Sequence, residues 1–179
     1  MKIVAFAGSS SLNSINKRLV QYTCNQFSNA TIDILDLNDY EMTIFSVDKE
    51  KNGFPKLAHD FRNKIEQAQV LIISLAEHNQ NYSAAFKNIL DWCSRIDTNL
   101  FRDKPMFLMS TSPGGYGGGN VMNIAKTFFP KYGANICETF SLPSFNKNFD
   151  EKSGIIDPEL KKNFKEKLNS FKEKIKALK

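Results

Sequence analysis

The sequence predicts an α/β protein in three layers, a parallel sheet between two layers of helices. Two observations predict it. Short apolar runs, of strand rather than helix length, recur along the 179 residues. Between them stand segments whose apolar residues return at helical spacing, and the alternation continues through the whole chain, as it does in strand–crossover–strand units.

Each element follows in order. "KIVAFA" (2–7) is a buried strand. Residues 14–27 are a helix with Ile15, Leu19, Thr23 and Phe27 on one face. "ATIDILDL" (30–37) alternates as a strand with one wet face does. A polar stretch with Gly and Pro runs to about Pro55, and 56–67 is a helix. "QVLIISLA" (69–76) is a near-continuous apolar run, hence a central strand. Residues 83–97 are a helix and "PMFLMST" (105–111) is the third central strand. "SPGGYGGG" leads to a helix near 119–130 and a strand near 134–141. After a polar connector comes the last helix, from Pro158 to Lys179. Its stripe is Leu160, Phe164, Leu168, Phe171, Ile175 and Leu178. Five strands and five helices in one domain, residues 1–179, suit a flavodoxin-like doubly wound sheet in the order 2-1-3-4-5.

Composition narrows the function. The net charge is +5. Eight lysines and three glutamates in 158–179 supply all of it, and the remaining residues balance at 16 of each sign. The basic face of that helix lacks aromatics, which sit on the apolar stripe. A solvated surface helix is therefore expected rather than a nucleic-acid surface. No run reaches membrane-spanning length, and the opening MKIVAFAGSS is too short for a signal-peptide core. Cys24, Cys93 and Cys137 are far apart and odd in number, and only His59 and His78 are present. Buried reduced thiols in the cytoplasm are expected, and no metal site.

In such sheets ligands bind where winding reverses, at the carboxyl ends of the strands. That directs attention to three loops. After the first strand, "GSSSLNSIN" offers hydroxyls at Ser9, Ser10, Ser11 and Ser14, with Asn16 in the first helical turn. A helix N-terminus with such neighbours suits an anion, usually phosphate; a well-capped turn is the plainer alternative. Neither GxxxxGK[ST] nor GxGxxG is present. After the third strand stand Glu77, His78 and Asn79, a polar cluster at the end of a central strand. After the fourth, "GGYGGG" has five glycines in six residues, which lets backbone come close to a flat ligand or simply makes a flexible turn.

These residues resemble the NAD(P)H-dependent FMN reductase family of flavodoxin-like proteins. The family's GSxRxxSxNxxL stands here as Gly8-Ser9-Ser10-Ser11-Leu12-Asn13-Ser14-Ile15-Asn16-Lys17-Arg18-Leu19. Its PEYN followed by LKNxxDW stands as Ala76-Glu77-His78-Asn79, then Phe86-Lys87-Asn88-Ile89-Leu90-Asp91-Trp92. Its glycine loop is matched by Pro113 to Gly118. The likeness covers about residues 2 to 140. It implies that Ser9, Ser11, Ser14 and Asn16 hold the FMN phosphate, with Ile15 among the cofactor-binding residues. It implies too that Glu77, His78 and Asn79 lie beside the ring, and that Ser112, Gly114, Gly115 and Gly118 close on its pyrimidine end. The implied chemistry is hydride transfer from NADPH or NADH to the flavin, then reduction of a small acceptor: free flavin, a quinone, an azo compound or a metal oxyanion.

Departures from the family pattern are part of the reading. Ser11 stands where the family has Arg, so one cation at the phosphate is missing, and His78 replaces Tyr. His78 is either a proton donor to the product or an edge contact, and Glu77 either meets the ring region or binds backbone N–H groups. Lys17 either balances phosphate charge or is solvated. The helix 84–97 is apolar around two sides, through Phe86, Ile89, Leu90 and Cys93 and then Ala85, Trp92 and Ile96. That predicts a homodimer or tetramer through this helix. Two other classes stay open: a flavodoxin-type electron carrier, and a flavin-free structural or regulatory relative.

Overall fold

The computed structural model describes residues 1–178. Five strands form one parallel sheet: β1 (Lys2–Gly8), β2 (Thr31–Leu35), β3 (Val70–Leu75), β4 (Pro105–Thr111) and β5 (Asn135–Leu142). Their order across the sheet is β2-β1-β3-β4-β5, the order expected, with every neighbouring pair parallel. β3 is buried along its whole length, as its unbroken apolar run requires.

Five helices of ten residues or more cover the two faces: α1 (Ile15–Cys24), α2 (Lys56–Glu66), α3 (Ala84–Ile96), α4 (Gly119–Phe128) and α5 (Pro158–Ala177). Period-two alternation along β1 sends Ile3 and Ala5 to one face, Val4 and Phe6 to the other. On the first face they meet Leu19 and Val20 of α1 and Phe164, Leu168, Phe171 and Ile175 of α5. On the second they meet Phe61 and Ile65 of α2, Phe86 and Ile89 of α3, and Val121 and Ala125 of α4.

Most expected elements stand within two residues of their predicted ends. α1 ends three residues earlier than expected, because the backbone at Gln26 and Phe27 tightens into bonds to Thr23 and Cys24. The expected end of α5 at Lys179 lies outside the described residues. Several short pieces stand outside the expected elements. A 3₁₀ turn occupies Leu37–Tyr40, and single helical turns occupy Val47–Glu50 and Phe145–Asn148. The sequence offers them no period, because each is only four residues long, about one turn, and a period needs several.

α5 is fastened to the edge strand by charge as well as by its apolar stripe. Glu138 of β5 accepts from Lys174 Nζ (2.7 Å), Ser170 Oγ (2.6 Å) and Lys167 Nζ (3.2 Å). Burial raises its pKa, but these three donors outweigh burial and bring it to about 2. A depressed carboxylate stabilises the fold above its unfolded pKa and loses that contribution as pH falls through the folded value. Between about pH 4.5 and pH 2 the protein should therefore lose on the order of 2 kcal/mol, screening included. Glu138→Gln should flatten this part of an acid-denaturation curve; an unchanged curve contradicts the account.

The three thiols are free. Cys24 and Cys93 are buried, and burial pushes both thiols up to about 12. Cys137 differs from expectation: it sits on the edge strand and is only half-buried. Among the described residues no helix is long and apolar enough to cross a membrane, and no cluster of His, Cys, Asp and Glu is fit to hold a metal ion.

Candidate functional site

The loops after β1, β3 and β4 meet at one end of the sheet, and a few buried side chains hold them together. Asn16 is the central one, and it is 2% exposed. Its Oδ1 accepts from Ser74 Oγ at 2.7 Å and from the Thr111 N–H at 3.1 Å, and its Nδ2 donates to the Thr111 carbonyl at 3.2 Å. One amide thus joins the first turn of α1 to the ends of β3 and β4. Ser83 caps α3 by accepting from Phe86 N–H, and its hydroxyl donates to the Gly8 carbonyl at 2.8 Å. The start of α3 is thereby fixed to the end of β1.

The first loop is built to leave donors free. Ser14 is the N-cap of α1, accepting from Lys17 N–H at 3.2 Å. The amides of Ile15 and Asn16 occupy the first positions of the helix, where no intrahelical acceptor exists. Ser9 is buried and its Oγ accepts from Ser11 N–H at 3.2 Å, while Ser10 and Ser11 are exposed. The basic residues of α1 are already engaged. Lys17 Nζ lies 2.5 Å from Asp36, whose carboxyl that contact holds below the ordinary range, and Arg18 pairs with Glu151 at 3.1 Å. Lys17 is thus a partly exposed helix lysine paired with Asp36. An anion here meets neutral donors and the positive end of the α1 dipole.

The second loop is a tight hairpin, Glu77–His78 paired with Asn81–Tyr82. Its turn puts Asn79 and Gln80 at φ of 48° and 64°. Asparagine is at home there; glutamine is not, which is why the turn is hard to read from sequence. His78 and Asn79 are exposed at its tip. Glu77 turns the other way: Oε2 accepts from Val121 N–H at 2.9 Å and Oε1 from Asn120 Nδ2 at 3.1 Å. Tyr82 is buried below, stacked on Phe129, with a hydroxyl that has no partner and a pKa raised by burial. Removing that orphan group costs nothing in hydrogen bonding. Tyr82→Phe should hold or raise stability, by up to about 1 kcal/mol, in a urea titration; a loss of that size would show a hidden partner.

The third loop uses its glycines in two ways. Gly117 and Gly118 have φ of 62° and 76°, and a Cβ on Gly117 would stand 3.0 Å from the Leu142 backbone. Those two are required by the chain itself. Gly114 and Gly115 are exposed and have no positive φ. A Cβ on Gly115 would meet nothing within 4 Å, and one on Gly114 only Ser112 Oγ at 3.8 Å. Bare backbone at these two positions answers no demand of the fold, which is the condition for a flat ligand to approach. The loop is tied down by Ser110 Oγ to the Gly117 carbonyl (2.8 Å), Phe145 N–H to the Ser112 carbonyl (3.0 Å) and Ser144 N–H to the Gly114 carbonyl (2.9 Å). The support from 144–145 comes from a segment with no motif to announce it.

The Lys-Asn-x-x-Asp-Trp stretch of α3 serves a different loop. Asn88 Oδ1 accepts from Phe45 N–H (2.9 Å), its Nδ2 donates to Met42 O (3.0 Å), and Trp92 Nε1 donates to Thr43 O (2.7 Å). Phe45 and Phe54 lie edge-on to Trp92. Trp92, on the second apolar side of this helix, is thus covered by residues of the same chain and is 1% exposed, while Ala85 and Ile96 on that side are half-buried.

The donor set fits FMN: free amides and hydroxyls for a phosphate, and open glycine backbone for a ring. Comparison with known proteins agrees. The sequence model of the family described as NADPH-dependent FMN reductase matches residues 1–147. An NADPH:quinone oxidoreductase of Arabidopsis thaliana is 29% identical over 181 residues, covering 96% of this chain and 90% of that one. The flavoenzyme FerB, an NAD(P)H:(acceptor) oxidoreductase from Paracoccus denitrificans, shares the fold at a TM-score of 0.77. Its identity is 19%, and the likeness covers 98% of this chain and 97% of that one. So does an FMN-dependent NADH-azoreductase of Bacillus anthracis, solved with FMN, at 0.64 and 14%, covering 99% and 98%.

Proposed function

This chain belongs to the NADPH-dependent FMN reductase family, and on that premise we propose how its three loops serve a nicotinamide-dependent flavin oxidoreductase. When bound, FMN supplies hydride acceptance and onward delivery of electrons. The protein supplies position. Ser9, Ser11, Ser14 and the first amides of α1, Ile15 and Asn16, hold the phosphate. His78 and Asn79 form the outer rim beside the ring. Ser112, Gly114, Gly115 and Gly118 present backbone to its pyrimidine end. Asn16 contributes its backbone N–H, because its side chain is committed to Ser74 and Thr111. His78, exposed at the rim, is the one titratable side chain of this set placed to give a proton to a reduced product.

The observation that carries this reading is the pair Gly114–Gly115, open and unstrained, facing the same end of the sheet as the uncommitted amides of α1. The proposed acceptors are small: free flavin, a quinone, an azo compound or a metal oxyanion, with quinones favoured by the similarity to an NADPH:quinone oxidoreductase. Adding FMN to the purified protein should quench flavin fluorescence to a one-to-one end point, and the loaded protein, kept anaerobic, should oxidise NADPH or NADH beyond one equivalent only when a quinone is present. No quenching at micromolar protein contradicts the reading.

The same proposal covers the whole of 1–179 as one domain, a cytoplasmic location in keeping with three free thiols, and the pairing of two copies. The proposed pairing runs through α3 and the loop that packs on it, and the exposed Ile44 (78%) and Val47 (62%) of that loop support it. Light scattering should give twice the chain mass.

A further inference from the structure

We infer that Glu77 is a positioning residue, an external cap that holds the exit of the glycine loop, and that its side chain does not touch the cofactor. The inference rests on the flavin-site reading above. α4 begins at Gly119, and its cap position is Gly118, a glycine in the left-handed region with no side chain to offer. Such a helix cannot cap itself. The amide that a Ser or Asp cap ordinarily takes lies in the third residue of the helix, here Val121. Glu77 takes it instead, from a different loop, 44 residues away in sequence. Its second oxygen is taken by Asn120 Nδ2. Its negative charge also sits at the positive end of the α4 dipole.

The consequence concerns the loop just before. Gly114 and Gly115 have almost nothing packed around them. Their place is set by what holds the loop at its ends: the bonds from Ser144 and Phe145 at the front, Ser110 at Gly117, and Glu77 at the first turn of α4. Without Glu77 that turn frays, and the bare amides no longer stand in register with the α1 amides across the site.

The test is hydrogen–deuterium exchange, read by mass spectrometry on the FMN-free protein, beside FMN titration of the same variants. Glu77→Ala should speed exchange in 117–124 about five- to ten-fold, the size of a lost cap, and weaken FMN binding by a similar factor. Glu77→Gln keeps an acceptor for Val121 N–H and should recover most of both, with the spectrum of bound FMN unchanged. Asn120→Ala removes one of the two partners and should give a smaller effect in the same segment, which decides the matter should Glu77→Ala not fold. Unchanged exchange together with an altered spectrum of bound FMN would overturn the inference and make Glu77 a cofactor contact. If wild type bound no FMN, the functional reading would fail, while the exchange result would still decide the cap.

Discussion

Asn16→Ala should lower the unfolding free energy by about 3–5 kcal/mol. The substitution deletes three buried hydrogen bonds at once. It leaves the Thr111 N–H and carbonyl and the Ser74 hydroxyl without partners, in a place where both Ser74 and Thr111 are essentially fully buried. Each stranded group costs on the order of 1–3 kcal/mol, and a domain of this size has roughly 5–15 kcal/mol in total. The variant should therefore unfold at much lower urea, and binding of FMN should fail with it. Asn16→Asp separates the bonding from the loss of bulk. It keeps acceptors for Ser74 and Thr111 N–H but sets a carboxylate against the Thr111 carbonyl, so it should also be destabilised. A drop below about 1 kcal/mol in Asn16→Ala would show that the amide is not the joint between the three loops.

The second large effect runs in the other direction. Ser11→Arg should tighten FMN binding about ten-fold or more. The loop proposed to hold the phosphate has neutral donors only, because Lys17 is held by Asp36 and Arg18 by Glu151. Ser11 is exposed at the lip of the loop, so an arginine there displaces nothing. A charge-assisted hydrogen bond is worth about 1.5–3 kcal/mol, and 1.4 kcal/mol is a factor of ten. The gain should shrink as salt is raised, since it is Coulombic and near the surface. Unchanged affinity would mean that the phosphate does not sit at Ser11.

What could be read from the sequence was what depends on short-range pattern. The apolar runs at 2–7, 69–76 and 105–111 are strands because no polar residue interrupts them, and Ser14 announces α1 by its place before an apolar period. The convergence of the three loops follows from strand order, which the strand–helix alternation implies. What could not be read was partnership over distance. The side chain of Asn16 reads as a phosphate donor until it is seen to meet Thr111, 95 residues on, which leaves only its backbone N–H for that role. Glu77 looks like a ring contact until Val121 takes its oxygen. Trp92 reads as part of an outward apolar side until Thr43 and Phe45 close over it. In each case local spacing specifies the residue's face and tertiary packing specifies what that face meets.

Anaerobic addition of NADPH, and separately of NADH, to the FMN-loaded protein tests the central claim most directly. The account predicts that the yellow absorbance is lost with at least one donor and returns when a quinone is added. Bound flavin that stays yellow with both donors would contradict it, and would make the chain a flavin carrier instead of a nicotinamide-dependent reductase.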